Sequence, residues 1–233
     1  MDATCLFERN RRWARRMTDG DPDCFARHLA GQHPPFLWIG CADSREPAEQ
    51  IVDAPPGELF VHRNIANRID PDDTNARAVI EYAVGALHIE HIVVCGHYGC
   101  GGVRAAMEAA PTPGALGRWL EPVRRLRERH EAELATLADA ERKLDRLCEL
   151  NVAAQVAVVA ELPSVRAAWA EGQPLSVHGW IYRLCDGLLR DLRVSVSGPG
   201  PDRPTSAGRH DDADGPERVQ DADAALVGGQ HVR

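Results

Sequence analysis

The chain is predicted to fold as an α/β domain, with a central, mostly parallel β-sheet flanked by helices, an N-terminal helical arm and a disordered C-terminal tail. Three observations predict this. Short apolar runs bounded by Gly and Pro alternate with stretches of helical period. One of these runs, His91-Ile92-Val93-Val94-Cys95, is apolar throughout its interior, the pattern of a strand covered on both faces. From Ser197 the composition changes: Pro199, Pro201, Pro204 and Pro216 lie among Gly, Asp, Ala and Ser, with no aromatic residue. Such a stretch cannot bury enough surface to offset its ordering entropy.

The elements follow in order. The charged stretch to about Ala30 is read as helical, with Asp21-Pro22 opening a second segment, and makes up an arm of about residues 1–31. Phe36-Leu37-Trp38-Ile39 is a buried strand ending at Gly40-Cys41, and Glu58 to His62 is a second after the Pro55-Pro56-Gly57 turn. Thr74 to Leu87 is helical, with Ala78, Tyr82, Gly85 and Ala86 on one side. The His91 strand follows, then a helix opened by Gly101-Gly102. Two long helices are expected over 116–134 and 139–160. Arg124, Arg125, Arg127 and Arg129 among glutamates make the first a solvated face, whereas Leu144, Leu147, Cys148, Val152, Val156 and Val159 make the second core or interface. Leu175 to Arg183 and Leu192 to Val196 are the last strands. The domain is therefore 1–196 and the tail 197–233.

At 233 residues the chain can bury one substantial core. A net charge of −8 and a pI near 5.7 argue against a nucleic-acid or anionic-membrane partner. There is no run of eighteen apolar residues and no apolar segment after the charged start, so no membrane span or signal is expected and the protein is placed in the cytoplasm. Seven cysteines are too few for a disulfide scaffold at this length; each is a buried apolar residue or a ligand.

Cys41 closes one expected strand, while His97 follows another, with Cys100 three residues on. Sites in parallel sheets form beyond the carboxyl ends of strands, where these side chains can converge. Two thiolates and an imidazole suit zinc, and three ligands leave a fourth position open. By spacing alone, buried thiols and a loop histidine fit equally well. Asp43 and Arg45 add chemistry: a carboxylate two residues from a ligand, and a guanidinium that could hold it ionised, or else an ordinary surface pair. His97-Tyr98-Gly99-Cys100-Gly101-Gly102 opens a helix with glycines where backbone must approach a ligand.

Through Cys41-x-Asp43-x-Arg45 and His97-x-x-Cys100-Gly101-Gly102 the chain resembles the β-class carbonic anhydrases, from about residue 5 to 196. Gly57 to Asn64, Cys148 to Val152 and Val177 to Trp180 belong to the same resemblance. It implies a zinc enzyme that interconverts carbon dioxide and bicarbonate by attack of a zinc-bound hydroxide. Cys41, His97 and Cys100 would be the ligands of one zinc ion, with Asp43 and Arg45 the catalytic dyad. Gln32, Phe60, Ile65 and Tyr82 would line the carbon dioxide pocket across a dimer interface, with Gly101 and Gly102 near substrate. The arm would wrap a partner subunit in a dimer or dimer of dimers. Closest to a bacterial, bicarbonate-regulated subgroup, the chain would bind bicarbonate at Trp38, Arg63 and Tyr182 and lose activity with bicarbonate and at low pH. The remaining cysteines (Cys5, Cys24, Cys95, Cys148, Cys185) and His62, His88, His91, His130 and His178 are read as structural. The rival readings are a carbon disulfide or carbonyl sulfide hydrolase on the same fold, and a non-enzymatic zinc or redox-sensor protein.

Overall fold

The computed structural model describes residues 2–108 and 112–198. Helices α1 (Cys5–Gly20) and α2 (Cys24–His28) precede β1 (Phe36–Cys41), α3 (Ala48–Ile51) and β2 (Leu59–Asn64). A 3-10 turn (Ile65–Asn67) leads to α4 (Thr74–Gly85), β3 (His91–His97), α5 (Gly101–Met107) and α6 (Gly114–Arg129). Then come α7 (Glu131–Ala135), α8 (Ala140–Ala160), α9 (Pro163–Ala170), β4 (Ser176–Arg183), β5 (Leu188–Asp191) and β6 (Val196–Ser197). The sheet order is β2-β1-β3-β4-β5, with β6 also on β4; β2, β1, β3 and β4 are parallel, and β5 and β6 run against β4. This is the expected architecture.

The central strands are buried because both faces are apolar. Leu37, Ile39, Ile92, Val94 and Val177 point to one face and pack under α4, α8 and α9. Trp38, Val93 and Cys95 point to the other with Ala48 of α3, leaving Phe36, Val61, Trp180, Tyr182 and Leu189 half-buried around them. Among the described residues this second apolar face of the sheet is thinly covered.

Four expectations need correction. The final strand is not 192–196. A turn at Asp186-Gly187, with Gly187 at φ 72°, folds β5 straight back on β4, and residues 192–195 link it to β6. Helix α9 is an addition: Pro163 starts it, and Val165, Ala168 and Trp169 bury its inner side. The helix expected over 116–134 is broken at His130, whose φ/ψ of −106°/17° ends α6. Finally, its arginines are not all solvated. Arg124 is 7% exposed and donates to Glu108 O (2.8 Å) and Ala105 O (3.1 Å), while Arg127 donates to Met107 O (2.9 Å). These guanidiniums bond the last carbonyls of α5, which its own helix cannot satisfy. Arg125 pairs with Glu121 at the surface, as expected of this helix.

Two helical faces have no cover among the described residues. α1 buries none of its residues and exposes Leu6 and Phe7 at 58% and 68%. On α4 the inward residues are Ala76, Ile80, Ala83 and Val84, so Ala78, Tyr82, Gly85 and Ala86 face outward. The boundary drawn at residue 197 falls within β6, and the tail from residue 199 lies outside the described residues.

Candidate metal centre and active site

Cys41 is the last residue of β1, His97 the last of β3, and Cys100 caps α5. All three are buried at one end of the parallel strands, and their ligand atoms lie within 4.8 Å of one another. The two sulfurs are 3.8 Å apart. His97 Nδ1 is 3.1 Å from Tyr98 O, which makes it the protonated nitrogen, while the buried Nε2 has no hydrogen-bond partner. A partnerless imidazole lone pair beside two thiols is costly in a metal-free core and is what a zinc ion satisfies. The donor set fits zinc.

The thiols are prepared for that charge. Cys41 is pulled well below its ordinary pKa, first by its hydrogen bond with Cys100, then by His97 and the backbone N–H groups of Asp43 and Ala66. Cys100 is pushed up by the same bond and by burial. Burial alone would lower the His97 imidazole, but Cys41, Glu46 and Asp43 outweigh it and the net shift is upward.

The loop after β1 is held from several sides. Arg45 grips the Asp43 carboxylate bidentately, Nε to Oδ1 at 2.9 Å and Nη2 to Oδ2 at 2.7 Å. That pair, more than any other partner, drives the Asp43 pKa far below the carboxylate range. Asp43 Oδ2 lies 3.8 Å from His97 Nε2, beside the ligands. Arg63 donates to the backbone oxygens of Cys41 (2.8 Å) and Asp43 (2.5 Å). Glu46, only 1% exposed, accepts from Cys41 N at 3.0 Å, and burial pushes its carboxyl up to about 7.

Sequence reasoning missed this support. Glu46 sat in a charged run with no sign of burial. Ala66 at φ 64° bends the 65–67 turn so that its N–H meets the Cys41 sulfur. Asn151 Nδ2 holds Ala66 O at 2.9 Å, Gln155 Nε2 donates to Asn151 Oδ1 at 3.1 Å, and Gln155 Oε1 accepts from Ile69 N at 2.8 Å. The available signal was two amides four residues apart on the apolar stripe of α8.

The other candidate residues divide. Ile65 and Gly102 are at the metal end and touch: a Cβ on Gly102 would stand 2.8 Å from Ile65 Cγ2. Among the described residues nothing crowds Gly101. The Phe60 and Tyr82 rings meet at a tilt of 36° with centroids 5.9 Å apart, but Phe60 pairs with Leu37, four residues before Cys41 on β1. At about 3.3 Å per residue that is roughly 13 Å from the ligand end. Gln32 is exposed in the loop before β1. A single chain therefore does not bring Gln32, Phe60 and Tyr82 to its own metal ligands. Trp38, Arg63 and Tyr182 share one sheet face, since Trp38 pairs with Val61, Gly40 with Arg63 and His97 with Tyr182. Arg63 and Tyr182 stand three strands apart, about 14 Å at the backbone. Among the structural thiols, Cys24, Cys95 and Cys148 are buried, whereas Cys185 is exposed.

Three protein donors at the strand ends of a parallel sheet, with one position left for water or substrate, are the arrangement of a catalytic zinc enzyme. The family model for carbonic anhydrase matches residues 36–189. The carbonic anhydrase of Emericella nidulans is 45% identical over 194 residues, covering 83% of this chain and 84% of that one. That of Pseudomonas aeruginosa is 38% identical over 170 residues, 69% of this chain and 74% of its own. Among solved structures, the Coccomyxa β-carbonic anhydrase bound to acetazolamide superimposes with a TM-score of 0.81 at 42% identity, covering 84% of this chain and 89% of that one. A tetrameric β-carbonic anhydrase from Sordaria macrospora does so with 0.80 at 39% identity, covering 83% and 98%. The chain belongs to the β-carbonic anhydrase family.

Proposed function

We propose that this enzyme hydrates carbon dioxide with one zinc ion held by Cys41, His97 and Cys100, with Asp43 and Arg45 as its working dyad, and that bicarbonate and low pH slow it. The observation that carries the reading is the buried, partnerless His97 Nε2, flanked by two cysteine sulfurs and 3.8 Å from Asp43 Oδ2. Zinc held there would lower the pKa of a bound water from 15.7 towards about 7. Asp43, kept ionised by Arg45, accepts a hydrogen bond from the attacking water and orients it. Arg45 keeps that carboxylate turned from the metal ligands. Ile65 and Gly102 wall the substrate side: Gly102 lets Ile65 and Ala66 pack against the start of α5, and Gly101 beside it is uncrowded.

The remaining pocket residues come from a second copy of the chain. The uncovered faces of α1 and α4 support a homodimer, and the tetrameric Sordaria relative supports pairing of dimers. Light scattering should give two or four times the chain mass of 25.5 kDa, and a monomer would reject the shared pocket. A reducing compartment such as the cytoplasm suits the site, because oxidation of the two sulfurs 3.8 Å apart would remove both ligands.

Regulation follows from the same loop. In one state Arg45 holds Asp43, as here; in the other Asp43 would leave Arg45 and take the position that Cys41, His97 and Cys100 would leave open on a bound zinc. Because Arg45 keeps Asp43 ionised well below the usual carboxylate range, acid does not neutralise it before the switch. Bicarbonate at Trp38, Arg63 and Tyr182 acts only by binding the blocked state more tightly. Trp38→Phe, Arg63→Ala and Tyr182→Phe should each weaken bicarbonate inhibition several-fold with zinc retained. Unchanged inhibition and pH profiles in all three would reject the switch and leave the enzyme assignment standing.

A further inference from the structure

Glu46 is the only buried carboxyl group among the described residues. Burying a carboxyl without partners is costly, so its position asks for a reason. One oxygen is used: Oε2 accepts from Cys41 N. The other, Oε1, is buried with no N–H or O–H donor among the described residues and only the Cys95 thiol beside the carboxyl, and the buried indole nitrogen of Trp38 has no hydrogen-bond partner among them. The two orphans point at one place. A Cβ on Gly40 would stand 2.7 Å from Trp38 Nε1 and 3.7 Å from Glu46 Oε1. Gly40 pairs with Arg63 on β2, so this spot lies on the face that carries both Trp38 and Arg63. Glu46 N also donates to Asp43 O at 3.0 Å, which ties the carboxyl to the loop that holds Asp43 and Arg45.

We propose that Glu46 is the resident carboxyl group of the Trp38–Arg63 site, tethered within the chain, which free bicarbonate must displace. The inference rests on the regulatory reading above and deepens it. A tethered group acts at an effective concentration of about millimolar or more, so it sets a threshold for any free competitor. Displacing Glu46 frees Cys41 N and loosens the Asp43–Glu46 turn, which is the physical link from the anion site to Asp43.

The test compares bicarbonate inhibition of the initial hydration rate at one fixed pH in the wild type, Glu46→Ala, Glu46→Gln and Arg63→Ala. Each is read against its own rate without added bicarbonate. Crystals of the wild type and of Glu46→Ala soaked in bicarbonate give a readout independent of activity. Glu46→Ala should reach half-inhibition at a bicarbonate concentration at least tenfold lower than the wild type, with bicarbonate seated against Trp38 Nε1. Glu46→Gln keeps an acceptor for Cys41 N but loses the charge, so it should fall between the two; it also carries the test if the alanine variant folds poorly. Equal half-inhibition in the wild type and both Glu46 variants, relieved by Arg63→Ala, overturns the role of Glu46 and leaves the regulatory site intact. No inhibition in any of them, and no anion beside Trp38 in the alanine crystals, overturns the regulatory reading and this inference together.

Discussion

Cys41→Ser and His97→Ala are expected to cut bound zinc from about one ion per chain to a small fraction of that, and to lower hydration by well over about 100-fold. Changes to groups that merely support a ligand cost about 10- to 100-fold, so loss of the ligand itself should exceed that range. The two substitutions act differently on the fold. Serine is close to the size of cysteine and keeps an oxygen where Cys41, 4% exposed, packs against Ala66, Cys100 and Val103. It should fold and still fail to hold zinc, because a neutral hydroxyl is a poor donor beside a thiolate. Alanine at His97, 0% exposed, removes a buried ring and should also lower the melting temperature. Elemental analysis alongside circular dichroism separates metal loss from unfolding. Full zinc occupancy in folded samples of both variants would sink the ligand assignment.

Asp43→Asn should retain zinc and lose about 100-fold or more in kcat, the scale of a positioned proton acceptor, roughly 2.7 kcal/mol of barrier. Asparagine keeps the shape but trades a carboxylate for an amide that donates on one side, so Arg45 loses one of its two short bonds. Arg45 is 61% exposed in its side chain, so water replaces that partner and the fold is little disturbed. The pH dependence fixes the interpretation. A carboxyl whose folded pKa is depressed stays ionised above its ordinary value near 3.9 and is lost only as pH falls further, so no limb of the wild-type profile at mildly acid pH belongs to protonation of Asp43. The asparagine defect should therefore persist at high pH. A variant rate equal to wild type there would remove Asp43 from the mechanism.

Some of this was legible along the chain because it is local. Strand ends can be read from apolar runs that stop at Gly or Cys, and parallel strands put their ends together, so Cys41 and His97 could be brought to one place from their positions alone. Asp43 and Arg45, two residues apart in a turn, pair without help from the rest of the fold. The apolar stripe of α8 likewise declares its buried face, and Leu144, Leu147, Cys148, Val152, Val156 and Val159 all lie inside. The hairpin at Gly187 and helix α9 were missed because each is short. A four-residue strand with the pattern Leu-Leu-Arg-Asp has no apolar face to announce it.

What the sequence by itself determined is the order of the central strands' apolar runs and the nearness of Cys41, Asp43 and Arg45 along the chain; spacing left the donor set open, and the family resemblance of Cys41-x-Asp43-x-Arg45 and His97-x-x-Cys100 selected it. Only the tertiary structure decided which polar side chains are buried. Glu46 and Arg124 look like surface charges in sequence, yet one closes on Cys41 N and the other on the carbonyls of α5. The physical reason is that burial of a charged group is settled by what unsatisfied backbone it meets. Those backbone groups lie on other elements, or across a turn whose direction no local period encodes. For the same reason Phe60 and Tyr82, at the far end of the strands from Cys41, lie away from the candidate metal ligands of their own chain.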